Sequence, residues 1–172
     1  HNGNTIQSWS GINAYSAFLS DSGTVWYTGG SSGMGGTCMV AAGWGNIYEK
    51  DWNGATIRTI TAAQLGGGMP HHAINLTARG TILAIIAESY NGACGERIVE
   101  FDPAQNKVIW SWHTNDHEGS GASKLQRGNS TNDPYHMNNA DWDPVSNKIV
   151  ISAHNTYEVY VIDRSIDSTT AK

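Results

Sequence analysis

The segment Arg97-Ile-Val-Glu-Phe-Asp-Pro-Ala-Gln-Asn-Lys-Val-Ile-Trp-Ser-Trp112 decides the fold of this chain. Both of its halves alternate apolar with polar or charged residues, and the stretch between them consists of turn-forming residues. Alternation with a period of two predicts half-buried strands, and a short polar turn between two such strands predicts an antiparallel hairpin. No helical periodicity competes with this interpretation, so the segment predicts a β-hairpin.

The same hairpin pattern recurs along the chain. Asn46-Ile-Tyr-Glu-Lys-Asp51 and Glu158-Val-Tyr-Val-Ile-Asp163 alternate in the same way and also end in Asp, so the pattern returns about every 50 to 60 residues. A second kind of hairpin precedes each of these three. The second hairpins run from Tyr15–Leu19 into Gly23–Tyr27, from Ala73–Leu76 into Gly80–Ile86, and from Asn139–Trp142 into Asn147–Ser152. Two hairpins in each repeat give four antiparallel strands.

Four antiparallel strands at this period are typical of one blade of a β-propeller, so we predict an all-β fold. Residues 1–172 then form a single partial propeller domain of about three blades. We expect an outer strand over residues 1–9, blades over 14–60 and 71–112, and over 136–165 a blade that lacks its fourth strand. Because propellers need roughly four to eight blades to close, we expect the ring to be completed by a longer chain or by oligomerisation.

Composition limits the partners of the chain. The sequence has 172 residues, a net charge of −5, and 20 Gly, 7 Trp and 7 Tyr. The aromatic, glycine-rich composition suits a turn-rich all-β protein, whereas the acidic charge without a basic stripe argues against nucleic acid as a partner. No apolar run is long enough to cross a bilayer, so membrane insertion is not expected.

The two cysteines, Cys38 and Cys94, both lie in glycine-rich segments. Loop geometry could bring them together as a disulfide, or they could remain two unrelated thiols. Two glycosylation triplets, at Asn75 and Asn129, weakly suggest a glycosylated exterior. A secreted, periplasmic or extracellular location is the expectation.

Histidines are the most informative polar residues. His71 and His72 stand at the start of the innermost strand of the second blade, and His136 stands at the matching position of the third. Propellers bind ligands where the innermost strands converge, and imidazole serves as nucleophile, acid, base or hydrogen-bond donor near neutral pH. We therefore interpret these residues as a candidate site, with packing between blades as the alternative role.

At these residues the sequence resembles the bacterial arylsulfotransferase family over essentially its whole length. The similarity begins at an Asp-Trp-Asn-Gly turn and a Pro-His-His strand, and it continues downstream through a series of short motifs in the family's order. These segments are Gly45–Gly54, Pro70–Asn75, Gly80–Leu83, Glu100–Pro103, Val108–His113, Asp116–His117, Asp133–Asn138, Asp143–Pro144, Ile149–Ser152 and Glu158–Arg164.

The resemblance implies a six-bladed propeller that transfers a sulfuryl group between a phenolic sulfate donor and a phenol acceptor through a transient sulfo-histidine. His72, or its neighbour His71, and His136 match histidines that stabilise charge on the sulfuryl oxygens, a form of electrostatic stabilisation. The nucleophilic histidine of the family lies on a later blade, beyond the matched region. Neither a cofactor nor a metal ion is implied.

Two positions depart from the family pattern. His154 stands where the family has arginine, which exchanges a permanently charged bidentate donor for a titratable one. Ala73 stands where the family has an aspartate after the two histidines, so a carboxylate that could orient an imidazole is missing. These departures keep open an alternative in which the chain is a non-catalytic extracellular propeller that binds ligands or assembles with other chains.

Overall fold

The computed structural model describes residues 3–10, 12–30, 38, 45–120 and 124–166. In these residues the chain is all-β, which confirms the predicted fold class, and a single 3-10 turn at Thr114–Asp116 is the one helical element described. No helix in this part of the chain is long and apolar enough for a bilayer span. The strands are β1 Ala14–Leu19, β2 Val25–Gly29, β3 Asn46–Lys50, β4 Thr56–Thr61, β5 Met69–Leu76, β6 Ile82–Tyr90, β7 Ala93–Asp102, β8 Lys107–His113, β9 Met137–Asp143, β10 Lys148–Ala153 and β11 Glu158–Asp163.

The strands form three antiparallel meanders of four, four and three strands, with β1–β4 in the first sheet, β5–β8 in the second and β9–β11 in the third. We refer to them as blades one, two and three. The first strands of neighbouring sheets contact each other, β1 with β5 and β5 with β9. The sheets therefore stack as blades of a propeller-like fold with their innermost strands side by side, and within the described residues blade three has three strands.

Two apolar cores hold the three sheets face to face. One core lies between blades one and two and contains Trp26, Ile47 and Phe101. The other lies between blades two and three and contains Trp112 and Ile151. Blade two is covered on both faces, which explains why β6 is buried continuously over its first six residues whereas β11 is largely exposed.

Polar contacts add to the packing between blades two and three. Arg164, after β11, pairs with the buried Glu100 of β7. The side-chain amide of Asn75 on β5 donates to Asn139 Oδ1 and to the carbonyl of Ala140 on β9. Because its amide is engaged between two blades, Asn75 is a structural residue here, and a glycan on it would replace one of the two hydrogens that these hydrogen bonds use.

An outer strand was expected over residues 1–9, but residues 3–10, the described part of that segment, have no regular secondary structure. A strand needs a neighbour for its backbone hydrogen bonds, and no described strand pairs with this segment. The side chains of Gln7 and Trp9 instead donate to the carbonyl of Trp52, at 2.9 and 3.2 Å. The two indole rings meet edge to face at 5.6 Å.

Cys38 and Cys94 form a disulfide that links segments 56 residues apart in the sequence, which confirms that the two glycine-rich segments meet. Replacing both cysteines by serine is expected to lower the free energy of unfolding by about 2–4 kcal/mol, because the open chain gains conformational freedom when unfolded. Urea unfolding of both proteins measures the difference. A reductant should destabilise the wild type to the level of the variant and leave the variant unchanged, whereas equal stability of the two oxidised proteins would contradict the expectation.

Candidate active site

Four histidines lie in a row at the end of blades two and three where β5 and β9 begin. The ring centroids are 5.1 Å apart between His71 and His72, 4.8 Å between His72 and His136, and 5.4 Å between His136 and His154. The backbone amide of His154 also donates to the carbonyl of His136 at 3.0 Å. The structure thus brings together all four histidines that the sequence analysis selected, with two contributed by each blade.

The backbone repeats itself at the two central histidines. His72 and His136 both have positive φ, 49° and 51°, a conformation that non-glycine residues rarely adopt. Strand pairing is irregular on the C-terminal side of each, between His71 and Ile74 in β5 and near Met137 in β9. A bulge changes the direction of a side chain. The residues before His72 and His136, which are His71 and Tyr135, are therefore buried, while the imidazoles of His72 and His136 turn towards each other. Strain that recurs at equivalent positions of two blades is characteristic of a functional site.

His71 is completely buried, and a carboxylate accompanies it. Its Nε2 atom lies 3.0 Å from Glu96 Oε1, and Glu96 is itself 1% exposed. The same carboxylate oxygen accepts the backbone N–H of Met137 at 2.9 Å. Glu96, at the start of β7, therefore connects the histidine of blade two to the first strand of blade three.

His72 lies between two imidazoles and is partly buried. Its Nδ1 atom lies 2.8 Å from Nδ1 of His71. The pKa of His72 is lowered to about 4, chiefly because the ring is partly buried and then because His71 and His136 lie close to it. Asp133 raises the pKa, but its effect is smaller than the sum of the others. The ring is therefore neutral near pH 7 and can still donate or accept one hydrogen bond at its other nitrogen.

His136 and His154 differ in how they are held. Asp133 Oδ2 lies 2.5 Å from Nδ1 of His136, so this imidazole has a carboxylate partner three residues before it in the chain. His154 is exposed, and its Nδ1 lies 3.0 Å from the side-chain oxygen of Asn155. The row thus runs from a fully buried imidazole at His71 to a solvent-facing one at His154.

Glu96 and Asp133 are the site residues that sequence reasoning missed. The absence of an aspartate at position 73 suggested that no carboxylate would orient the histidines, yet these two residues do so from elsewhere in the chain. Glu96 lies in a strand that is buried from residue 94 to residue 101, where a charged side chain needs a partner, but the sequence did not indicate which one. Asp133 belongs to the segment Asp133–Asn138, which resembles the family. Its contact with His136, three residues later, depends on the backbone conformation between them and was not visible in the sequence.

A second acidic and basic cluster lies near the outer strand of blade two. Glu88 contacts His113 through one carboxylate oxygen, and Arg97 through the other at 3.4 Å. Arg97 also donates to the carbonyls of Leu65 and Gly67, so it fastens the glycine-rich turn that precedes β5. Across the described residues no group of three or more His, Cys, Asp or Glu is arranged to hold a metal ion.

The depressed pKa of His72 predicts a pH-dependent stability. Folded His72 has a pKa of about 4 against an ordinary value of 6.5, so between these values the unfolded chain binds the proton more readily than the folded one. Stability should therefore fall as the pH is lowered from about 6.5 to about 4, and His72→Gln should remove this part of the decline. Urea unfolding at about pH 7 and about pH 5 measures it. An equal loss of stability in wild type and variant would contradict the assignment.

Comparison with known families gives one match. The sequence model of the arylsulfotransferase family matches residues 18–169, which include the four histidines and every described strand except the first part of β1. No curated protein matches the chain.

Proposed function

Because the chain belongs to the arylsulfotransferase family, we propose that it is part of a propeller that transfers a sulfuryl group from a phenolic sulfate donor to a phenol acceptor through a histidine intermediate. The observation that carries the proposal is the row of four histidines at one end of two neighbouring blades. Imidazoles that donate hydrogen bonds can stabilise the negative charge on the oxygens of a sulfuryl group during its transfer.

The histidines are proposed to divide this work by position. His136 and His154 are proposed to donate hydrogen bonds to the sulfuryl oxygens, His136 from Nε2 of its protonated ring, because its Nδ1 is held by Asp133. His72 presents its own Nε2 beside them, because its Nδ1 lies against His71. His154, at the exposed end of the row, would meet the substrate first and supply a titratable donor. The nucleophilic histidine is not assigned to a described residue, and we propose that it lies on a further blade, as the family pattern implies.

The disulfide between Cys38 and Cys94 suits an oxidising compartment. We therefore propose that the protein works in the periplasm or outside the cell. Donor and acceptor would then be small phenolic compounds that diffuse to the exposed end of the histidine row.

The experiment uses nitrophenyl sulfate as donor and phenol as acceptor with the purified protein in a form that includes the further blade with the proposed nucleophile. We expect nitrophenol to be released at a rate that depends on the phenol concentration, together with formation of phenyl sulfate. Binding of nitrophenyl sulfate without release of nitrophenol would contradict the enzymatic proposal and favour a binding module.

A non-catalytic assembly module is the second candidate, and exposed apolar residues on blade three favour it. Val150, Val159 and Val161 are 41%, 66% and 61% exposed on this last sheet. Such a face suits a further blade, from the same chain or from another copy. The molecular mass in solution tests whether the further blade comes from another copy. An oligomer supports assembly from copies of the chain, and a stable monomer contradicts it.

A further inference from the structure

We propose that Glu96, His71 and His72 form a proton relay, in which Nε2 of His72 takes the proton of the acceptor phenol and Glu96 stabilises the positive charge that results. The inference rests on the proposed function and assigns the three residues different roles within it. His72 is the catalytic base, whereas His71 and Glu96 are positioning residues that act through it.

The buried end of the relay fixes the first proton. Nε2 of His71 lies 3.0 Å from Glu96 Oε1 without hydrogen-bond geometry, and the exposed fractions of the two side chains are 0% and 1%. A lone pair on this nitrogen would be repelled by the carboxylate, whereas an N–H would be attracted. An ionised carboxylate offers no proton, so the stable arrangement of a neutral His71 carries its proton on Nε2. The hydrogen bond from the Met137 amide holds the same carboxylate oxygen in position. Nδ1 of His71 is therefore left with a lone pair.

The second proton follows from the first. Nδ1 of His72 lies 2.8 Å from Nδ1 of His71, and two lone pairs at this distance would repel each other. When both rings are neutral, His72 must then hold its proton on Nδ1 and donate it to His71. Nε2 of His72 is left as a proton acceptor, on the side of the ring away from His71.

The reaction balances without any further reactant. In the acceptor step, the phenol oxygen forms a bond to sulfur while the bond from sulfur to the group that carries it breaks, and that group keeps the electron pair. The phenol proton passes to Nε2 of His72, and the proton on Nδ1 of His72 passes to Nδ1 of His71. His71 becomes an imidazolium beside Glu96, and the reverse shift returns the proton to a leaving phenolate or to water.

The electrostatic surroundings of the relay come from several elements. His71 faces Glu96 of β7, and His72 faces His136 and Asp133 from the segment before β9. His154 follows next in the row, and the charge of Glu96 also reaches Tyr160 of β11. Glu96 is the carboxylate that lies against His71, so its loss should disturb the buried end of the relay most.

Glu96→Gln tests the relay through the choice of acceptor. The variant keeps an amide oxygen for the Met137 amide and for His71 but loses the negative charge. With phenol as acceptor, kcat/KM should fall about 10²-fold, because general-base assistance is lost. With pentafluorophenol, which is ionised at the assay pH and has no proton to remove, the variant should stay within a few-fold of the wild type.

Glu100→Gln is the matched control. Glu100 is also a buried carboxylate of β7, but it pairs with Arg164 and Thr81 away from the histidine row. Its loss is expected to reduce stability without changing the ratio of rates for the two acceptors. Transfer by the wild type together with an unchanged ratio in Glu96→Gln would overturn the relay alone. Absence of transfer by the wild type would overturn the proposed function, and the catalytic use of the relay with it.

A second measurement is independent of activity and of how well the variant folds. Nitrogen-15 NMR of the wild-type histidines distinguishes a ring protonated on Nδ1 from one protonated on Nε2. At neutral pH we expect His72 to carry its proton on Nδ1 and His71 on Nε2. A His72 ring protonated on Nε2 would overturn the proposal.

Discussion

His136→Ala is expected to lower kcat/KM for sulfuryl transfer by about 10²- to 10³-fold, the usual cost of removing one preorganised donor to a developing negative charge. The imidazole stands at the centre of the row, 4.8 Å from the ring of His72 and 5.4 Å from that of His154. Its partner Asp133 holds Nδ1, so a protonated ring keeps the N–H of Nε2 for the substrate. Nitrophenol release with phenol as acceptor measures the effect.

His113→Ala is the matched control for this prediction. His113 also has a carboxylate partner, Glu88, but it lies on β8, the outer strand of blade two, and outside the histidine row. Its removal should leave kcat/KM within a few-fold of the wild type. A His136→Ala variant with undiminished rate would contradict the assigned site, and so would a His113→Ala variant that is as impaired as His136→Ala.

Arg164→Ala is expected to lower the free energy of unfolding by about 3–5 kcal/mol, because it leaves a buried carboxylate without its counter-ion. Glu100 is 4% exposed, and its Oε2 atom accepts from both Nε and Nη2 of Arg164. The guanidinium also lies 5.1 Å from the ring centroid of Trp110. The residue thus joins the turn after β11 to the middle of blade two, and urea unfolding measures its contribution.

Two further variants identify the cause of this loss. Arg79→Ala removes another arginine that crosses from blade two to blade three, where its exposed guanidinium lies 4.3 Å from the ring centroid of Trp142, and it should cost less than about 1 kcal/mol. Glu100→Gln in the Arg164→Ala background removes the unpaired charge and should recover part of the stability. If the double variant is no more stable than Arg164→Ala, the buried charge is not the cause.

The strands of the three sheets were predictable from the local sequence pattern, whereas the expected strand at residues 1–9 was not found in the described residues 3–10. Alternation of apolar residues and the Asp-ended turns located the hairpins of all three sheets, because strand formation there is supported by neighbours close in sequence. Residues 3–10 carry a similar pattern but form no strand, because no described strand pairs with them. Pattern alone does not supply the partner that a strand requires.

The proximity of the histidines was predictable from the sequence, whereas their carboxylate partners were not. His72 and His136 occupy equivalent positions of a repeat, so the repeat itself predicted that they would lie close together. Glu96 reaches His71 from β7, the third strand of the same sheet, and the choice of partner depends on which way each side chain leaves an irregular β5. Such a contact between strands is decided by packing and is not encoded in the spacing of residues.

The most direct test of the site is NMR of the histidine side chains while nitrophenyl sulfate is added in the absence of an acceptor. If the histidine row binds the sulfuryl end of the donor, the imidazole signals of His72, His136 and His154 will shift and saturate together, while the signal of His113 stays in place. Shifts at His113 with none in the row, or no histidine shift at saturating ligand, would contradict the account.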